Sequence, residues 1–248
     1  MRYLITPLLI ILATAAIRAG QTDRDRNEAL RHLRAGQEAL EVEKFEEAER
    51  EFKTAIGLDP RLELAHHGLG RVYMATKRYV SAVDAFTSSR NVFQANIADA
   101  LGQRLADHRN LDDQIRTLRD LRNGLQSGRV RTRNVASSLQ RVDDEISQLE
   151  TLRRRDPDRA TPTPPYITVA LGSAYFRTGA FADAEREWRL ALAVDANIGE
   201  VHNNLAVVCM LTGRYDEAER EIQLAEKSGF RVSPAFKEEL KAKKAGKG

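Results

Sequence analysis

The residue types that could do chemistry are sparse in this chain. It has five histidines, His32, His66, His67, His108 and His202, and one cysteine, Cys209. His66 and His67 are adjacent, so on a helix their side chains diverge by roughly 100° and cannot share one metal ion. No His pair has a convincing third ligand, and a zinc site wants at least three protein ligands. The chain lacks G-x-S-x-G, H-E-x-x-H and a phosphate-binding glycine loop. A lone cysteine cannot close an intramolecular disulfide, and Cys209 sits in an apolar run that suits a small buried hydrophobe. The carboxylates are numerous but follow helix surfaces, as in "EEAERE" and "DEAERE", where Glu and Arg three or four apart support a helix. The residues therefore point to a non-enzyme, with no catalytic, cofactor-binding or metal-ligating set.

Basic clusters occur at 129–133 ("RVRTR"), 153–155 ("RRR") and in the tail "KAKKAGKG". No aromatic residue lies between Phe93 and Tyr166 to stack a base, and acids interleave with the arginines. Nucleic acid is thus not an expected partner, while an anionic envelope surface or an acidic partner stays open.

Hydrophobic residues at 42% and charged residues at 30% suit a soluble, helix-rich chain, and 6% aromatics disfavour a β-sandwich or barrel. The first stretch, "MRYLITPLLIILATAAIRAGQ", has one cation, an apolar run from Leu4 to Ile17 and small residues at Ala19 and Gly20. That is the layout of a secretory signal peptide over 1–19, too short to span a bilayer. Cleavage after Ala19 or after Ala15 fits, and an uncleaved anchor is the alternative. Export to the periplasm or beyond is the expectation, with no transmembrane helix once the signal is removed. Removal takes Arg2 and Arg18 and no acid, so the net charge falls from +3 to about +1.

Four stretches align without gaps at one period: 29–62, 63–96, 165–198 and 199–232. Their seventh and eighth positions are Ala35–Gly36, Leu69–Gly70, Leu171–Gly172 and Leu205–Ala206. The eleventh holds Ala39, Tyr73, Tyr175 and Cys209, and the twentieth is Ala48, Ala82, Ala184 and Ala218. Large apolar residues occupy the twenty-fourth (Phe52, Phe86, Trp188, Ile222), and Ala55, Ser89, Ala191 and Ala225 the twenty-seventh. Small residues let two short helices approach, and the bulky ones fill the space between them. Gly179 and Gly213 suit the end of the first helix of a pair.

This pattern resembles the tetratricopeptide repeat. The resemblance implies an all-α solenoid of helix–turn–helix units, in which helix A of each repeat lines a groove for a peptide or helix. It departs at the fourth position, often Trp, which is His32, His66, Thr168 and His202 here. Those histidines are expected to pack against the neighbouring helix.

Between the two repeat pairs, 97–164 breaks the period. Ile97, Leu101, Leu105, Leu111, Ile115, Leu118 and Leu125 form one stripe, and Val135, Leu139, Val142, Ile146 and Leu149 another, spaced as a heptad seam. The spacing predicts a long helix over 80–126 and a return helix, making an antiparallel helical hairpin over 95–154. A Pro/Arg-rich linker follows at 155–165. A dimer through 97–152 is the competing use of these seams. The stretch 233–248 reads as a capping helix and basic tail, with Ser233 placed to cap and Pro234 at the first helical position.

The resemblance implies groove contacts at helix A positions two, five, nine and twelve. These are Leu64, His67, Arg71 and Met74 in repeat two; Tyr166, Val169, Ser173 and Phe176 in repeat three; Glu200, Asn203, Val207 and Met210 in repeat four. Only Arg71 and Asn203 match the Lys/Asn/Arg clamp by which some members hold a C-terminal carboxylate, so that ligand is not assigned. The expected function is a non-catalytic scaffold or adaptor of the cell envelope or secreted space, binding a protein partner. A dimeric structural protein and an accessory subunit of an envelope-remodelling enzyme are the alternatives.

Overall fold

The structure is a computed structural model. It describes the backbone of residues 6–154 and 161–246 and the side chains of 24–154 and 161–246. The side chains of the expected signal segment, linker residues 155–160 and the last two residues lie outside the described residues. The described residues contain no strand and ten helices: α1 (Thr6–Glu41), α2 (Phe45–Leu58), α3 (Glu63–Ala75), α4 (Tyr79–Gln126), α5 (Val135–Arg153), α6 (Pro165–Arg177), α7 (Phe181–Val194), α8 (Gly199–Leu211), α9 (Tyr215–Lys227) and α10 (Pro234–Ala245). They divide into two compact units, residues 1–93 with 162–248, and residues 94–161.

The first unit is an all-α solenoid built from one local rule used four times. Each helix A ends with the same pair of backbone bonds. The amides of Lys44, Arg78, Ala180 and Arg214 reach back to the carbonyls of Ala39, Tyr73, Tyr175 and Cys209, at 2.8–3.0 Å. Those of Glu43, Lys77, Gly179 and Gly213 bond the carbonyls of Leu40, Met74, Phe176 and Met210. This closure needs a left-handed residue just past the helix. Gly179 and Gly213 supply it freely at φ 82° and 75°, whereas Glu43 and Lys77 are held at φ 58°.

Small residues then admit large ones. A Cβ added at Gly36 would meet the Phe52 ring at 2.8 Å, one at Gly70 the Phe86 ring at 2.5 Å, and one at Gly172 the Trp188 indole at 2.5 Å. The rings lie over bare backbone, and Phe52, Phe86 and Trp188 are all but fully buried. Burying each ring contributes on the order of 2–3 kcal/mol, which is how sparse aromatics sustain this core.

The fourth-position histidines are tied to their neighbours by hydrogen bonds. His32 Nδ1 lies 2.6 Å from Glu51 Oε2, and His202 Nδ1 lies 2.7 Å from Glu221 Oε2. His66 Nε2 and His202 Nε2 reach the carbonyls of Pro60 and Ala196, which end the preceding repeats. At the C-terminal end α10 lays Leu240 and Phe236 over α9, with Val232 and Ile222 beneath. Pro234 opens α10, but Ser233 makes no side-chain cap bond there, correcting that expectation. Lys237 pairs with Glu226 instead, and Lys244 with Asp216 and Glu219, so cross-helix charge holds the first and last turns.

In the second unit, the distal part of α4 and helix α5 share a small cluster of Leu125, Val142 and Ile146, with Leu118 and Leu139 against it. Ion pairs join Asp112 to Arg153, Arg119 to Glu150 and Arg122 to Asp143. Residue numbers rise along one helix as they fall along the other, so the two segments are antiparallel. Asn134 starts α5 by accepting the Ser137 amide at 3.2 Å. Leu105 and Val135, both on the predicted seams, are exposed.

Candidate functional site

Three successive A helices, α3, α6 and α8, bring together the twelfth position of α3, the ninth and twelfth of α6 and the ninth of α8. Met74 from α3, Ser173, Phe176 and Arg177 from α6, and Asn204 and Val207 from α8 surround a cavity of about 180 Å³, with Trp188 of α7 at its back. The carbonyl of Val169 organises one wall, because it accepts both the Ser173 hydroxyl at 2.9 Å and the Trp188 indole N–H at 3.2 Å. Phe176 lies between the Trp188 and Phe181 rings, at centroid distances of 6.0 and 5.5 Å. Packing thus fixes the apolar wall.

The mouth is polar. Arg177 stacks over the Tyr79 ring at 4.6 Å and donates to its hydroxyl. Among the described residues no carboxylate lies within ion-pair distance of Arg177 or Arg71 (among the pairs are Arg78 with Glu49 and Arg214 with Glu185).

Of the twelve groove candidates, Met74, Ser173, Phe176 and Val207 line this cavity. Leu64, Arg71, Tyr166 and Glu200 are exposed on their A helices, and Asn203 is half-buried. Val169 packs into the core beside Trp188, and Met210 is buried with Ile222 and Val232. His67 forms a separate group, with its ring 5.3 Å from that of Phe86 and 5.0 Å from that of Tyr166. Arg177, Trp188 and Asn204 were not among the sequence candidates. Arg177 is the very next residue after a candidate, and Asn204 flanks Asn203. Trp188 belongs to a helix B, where sequence position alone signals only packing.

Burial and the charge of Arg71 push the His67 imidazole down from 6.5 to about 4, so it is neutral between its two rings. Burial raises the Cys209 thiol to about 11, which keeps it from acting as a thiolate nucleophile. Burial and the Glu63 carboxylate raise the Tyr166 phenol. No group of three or more His, Cys, Asp or Glu among the described residues could hold a metal ion. None of the helices searched among them is long and apolar enough to cross a membrane.

The tetratricopeptide repeat profile matches residues 33–91 and 169–230. No curated protein matches in sequence. Among solved structures, PilW, described as a widely conserved type IV pilus biogenesis factor, is 17% identical. That match covers 84% of this chain and 80% of that one, with a TM-score of 0.39. PilF of Pseudomonas aeruginosa is 18% identical over 85% of this chain and 79% of its own, with a TM-score of 0.35. TTC0263, a thermophilic tetratricopeptide repeat protein of Thermus thermophilus, is 15% identical over 87% and 98%, with a TM-score of 0.36. The helix pairs over residues 33–91 and 169–230, with their shared turn closure and, in the first three, a ring seated on glycine, are tetratricopeptide repeats.

Proposed function

We propose that this chain is a non-catalytic scaffold or adaptor, exported to the cell envelope or beyond, that holds a segment of a partner protein on its A-helix face. The observation that carries the reading is the cavity shared by α3, α6 and α8, because three consecutive repeats each give it a side chain while their own cores are already filled. Such repeats generally serve protein–protein interaction. The apolar N-terminal run supports export, with residues 1–19 removed.

Site-specific photocross-linking tests the groove. A benzophenone side chain in place of Phe176 should capture a discrete partner in the native host, and one in place of Leu224 on α9 should not. Equal capture at both sites, or none at Phe176, sinks the reading. Mass spectrometry of the mature N-terminus tests export, and an intact Met1 would count against cleavage.

A second reading, assembly through 97–152, is favoured by the exposure of Leu105, Leu121 and Val135 in that segment. Sedimentation velocity on the mature chain, and on one with 97–160 replaced by a short Gly/Ser linker, decides it: a dimer formed only by the full chain makes the segment an assembly arm.

A further inference from the structure

The cavity narrows the class of partner, given the groove reading above. We infer that it receives one large apolar side chain, best an aromatic ring, from a segment that carries an Asp or Glu within about two residues of that anchor.

Size supports the anchor. A dry cavity of about 150 Å³ holds a benzene ring, and this one is about 180 Å³. Its apolar lining is Met74, Phe176, Trp188 and Val207. The polar atoms at its back are already spent, since Ser173 Oγ and Trp188 Nε1 both donate to the Val169 carbonyl. A ring entering there displaces water without stranding a donor, which is the condition for apolar gain.

Charge supports the acid. Arg177 stands at the mouth, held in place by the Tyr79 ring and hydroxyl, so its guanidinium is pre-oriented yet without a carboxylate. Arg71 lies one helical turn from Met74 on the same face and is likewise without one among the described residues. His67 beside it is kept neutral by burial and adds no charge. Acids on these A helices include Glu63 and Glu200. Glu63 is occupied by the hydroxyls of Ser89 and Tyr166, and Glu200 lies one turn before Asn204, on the α8 side. A carboxylate on the partner is therefore drawn to the α3–α6 side. A planar guanidinium already fixed by an aromatic ring loses little freedom on binding it. Asn204 offers an amide for the partner backbone.

Trp188, the chain's single tryptophan, makes its fluorescence a reporter of this cavity alone. The probe is an array of blocked seven-residue peptides on a Ser/Gly background, with Phe, Leu or Ala at the centre and Asp, Ser or Lys two positions away. The expected result is saturable change for Phe with Asp, weakened about tenfold by Ala at the centre and about five- to tenfold by Lys at the flank. Arg177→Glu, a change at an exposed position, should invert the flank preference while leaving the fold intact by circular dichroism. Val207→Phe, or Met74→Phe if the first variant fails to fold, keeps Trp188 as the single tryptophan and should abolish binding by filling the cavity.

Binding indifferent to the flanking charge, or unchanged by Arg177→Glu, overturns the acidic partner. Binding that survives the filled cavity, or no response up to millimolar peptide, overturns the anchor. A specific cross-link at Phe176 alongside either failure would leave the groove standing and remove only this assignment.

Discussion

Two kinds of repeat interface coexist in this molecule. Within each repeat pair the contact is a charged rim built twice from the same positions. Arg78 Nη2 lies 2.5 Å from Glu49 Oε2 and Arg214 Nη2 lies 2.6 Å from Glu185 Oε2, both 29 residues apart in sequence. Lys53 and Arg189 reinforce the same two glutamates from four residues on. Between repeats two and three those positions hold Ala180 and Val83, and the rim is gone. A partly buried polar set replaces it. Arg90 Nη1 reaches Glu187 Oε1 at 2.7 Å, with Glu187 only 1% exposed. Glu63 accepts from Ser89 at 2.6 Å and from Tyr166 at 2.9 Å, and His67 sits between the Phe86 and Tyr166 rings. Inside a pair, a short turn delivers the next helix and side chains need only decorate the edge. Across residues 94–161 no short turn does that, so the joint is specified by polar partners around the buried Glu187.

The comparison breaks most sharply at Arg90. Arg90→Ala leaves the buried Glu187 carboxyl with only the longer 3.9 Å contact to Arg186, and should cost about 3 kcal/mol in urea unfolding. Because Glu187 Oε2 already lacks a hydrogen-bond partner among the described residues, the double variant Arg90→Met/Glu187→Leu should recover most of that loss. A cost below about 1 kcal/mol for Arg90→Ala would place the joint in the same class as the rims.

Acid should separate the two kinds of interface next. The His67 imidazole is depressed in the folded chain, so the unfolded state binds the extra proton. Its contribution is complete above about pH 6.5 and declines as pH falls toward 4. His67→Phe, which keeps a ring against Phe86 and Tyr166, should flatten the thermal midpoint across that window. Glu49 is the opposite case: the Arg78 guanidinium holds its carboxyl down from 4.5 to about 2. Its contribution is complete above about pH 4.5 and is lost as pH falls toward 2, a loss that Glu49→Gln should remove. If both variants lose their slope in the same window, the joint and the rim are not distinguished by their titrating groups.

A smaller effect tests the turns. Lys77→Gly relieves a left-handed residue that repeats three and four assign to glycine, and should raise stability by about 1 kcal/mol. Smallest of all, Arg214→Ala at a half-exposed rim should cost about 0.5 kcal/mol and shrink further in 0.5 M salt, by the usual screening of surface pairs. A cost as large as that of Arg90→Ala would erase the contrast.

The repeat phase was legible because it is local. In the first three repeats a ring at the twenty-fourth position meets the eighth-position glycine of the same hairpin, so one period contains both halves of the contact. The turn was half legible, since Gly179 and Gly213 announce a left-handed residue where Glu43 and Lys77 do not. The cavity was legible in part. Met74, Ser173, Phe176 and Val207 follow from repeat position, whereas Arg177, Trp188 and Asn204 join them only when neighbouring helices are set side by side.

By itself, then, the sequence determined what a helix pair can settle alone: its length, its closing turn and the seat of its buried ring. The tertiary structure decided how the third repeat docks on the second, through Arg90 and Glu187, 97 positions apart. It also decided which residue beside Phe176 would be left with an unpaired charge. No local spacing encodes such pairings, because they depend on how successive helices stack, and that depends on every packed side chain between them.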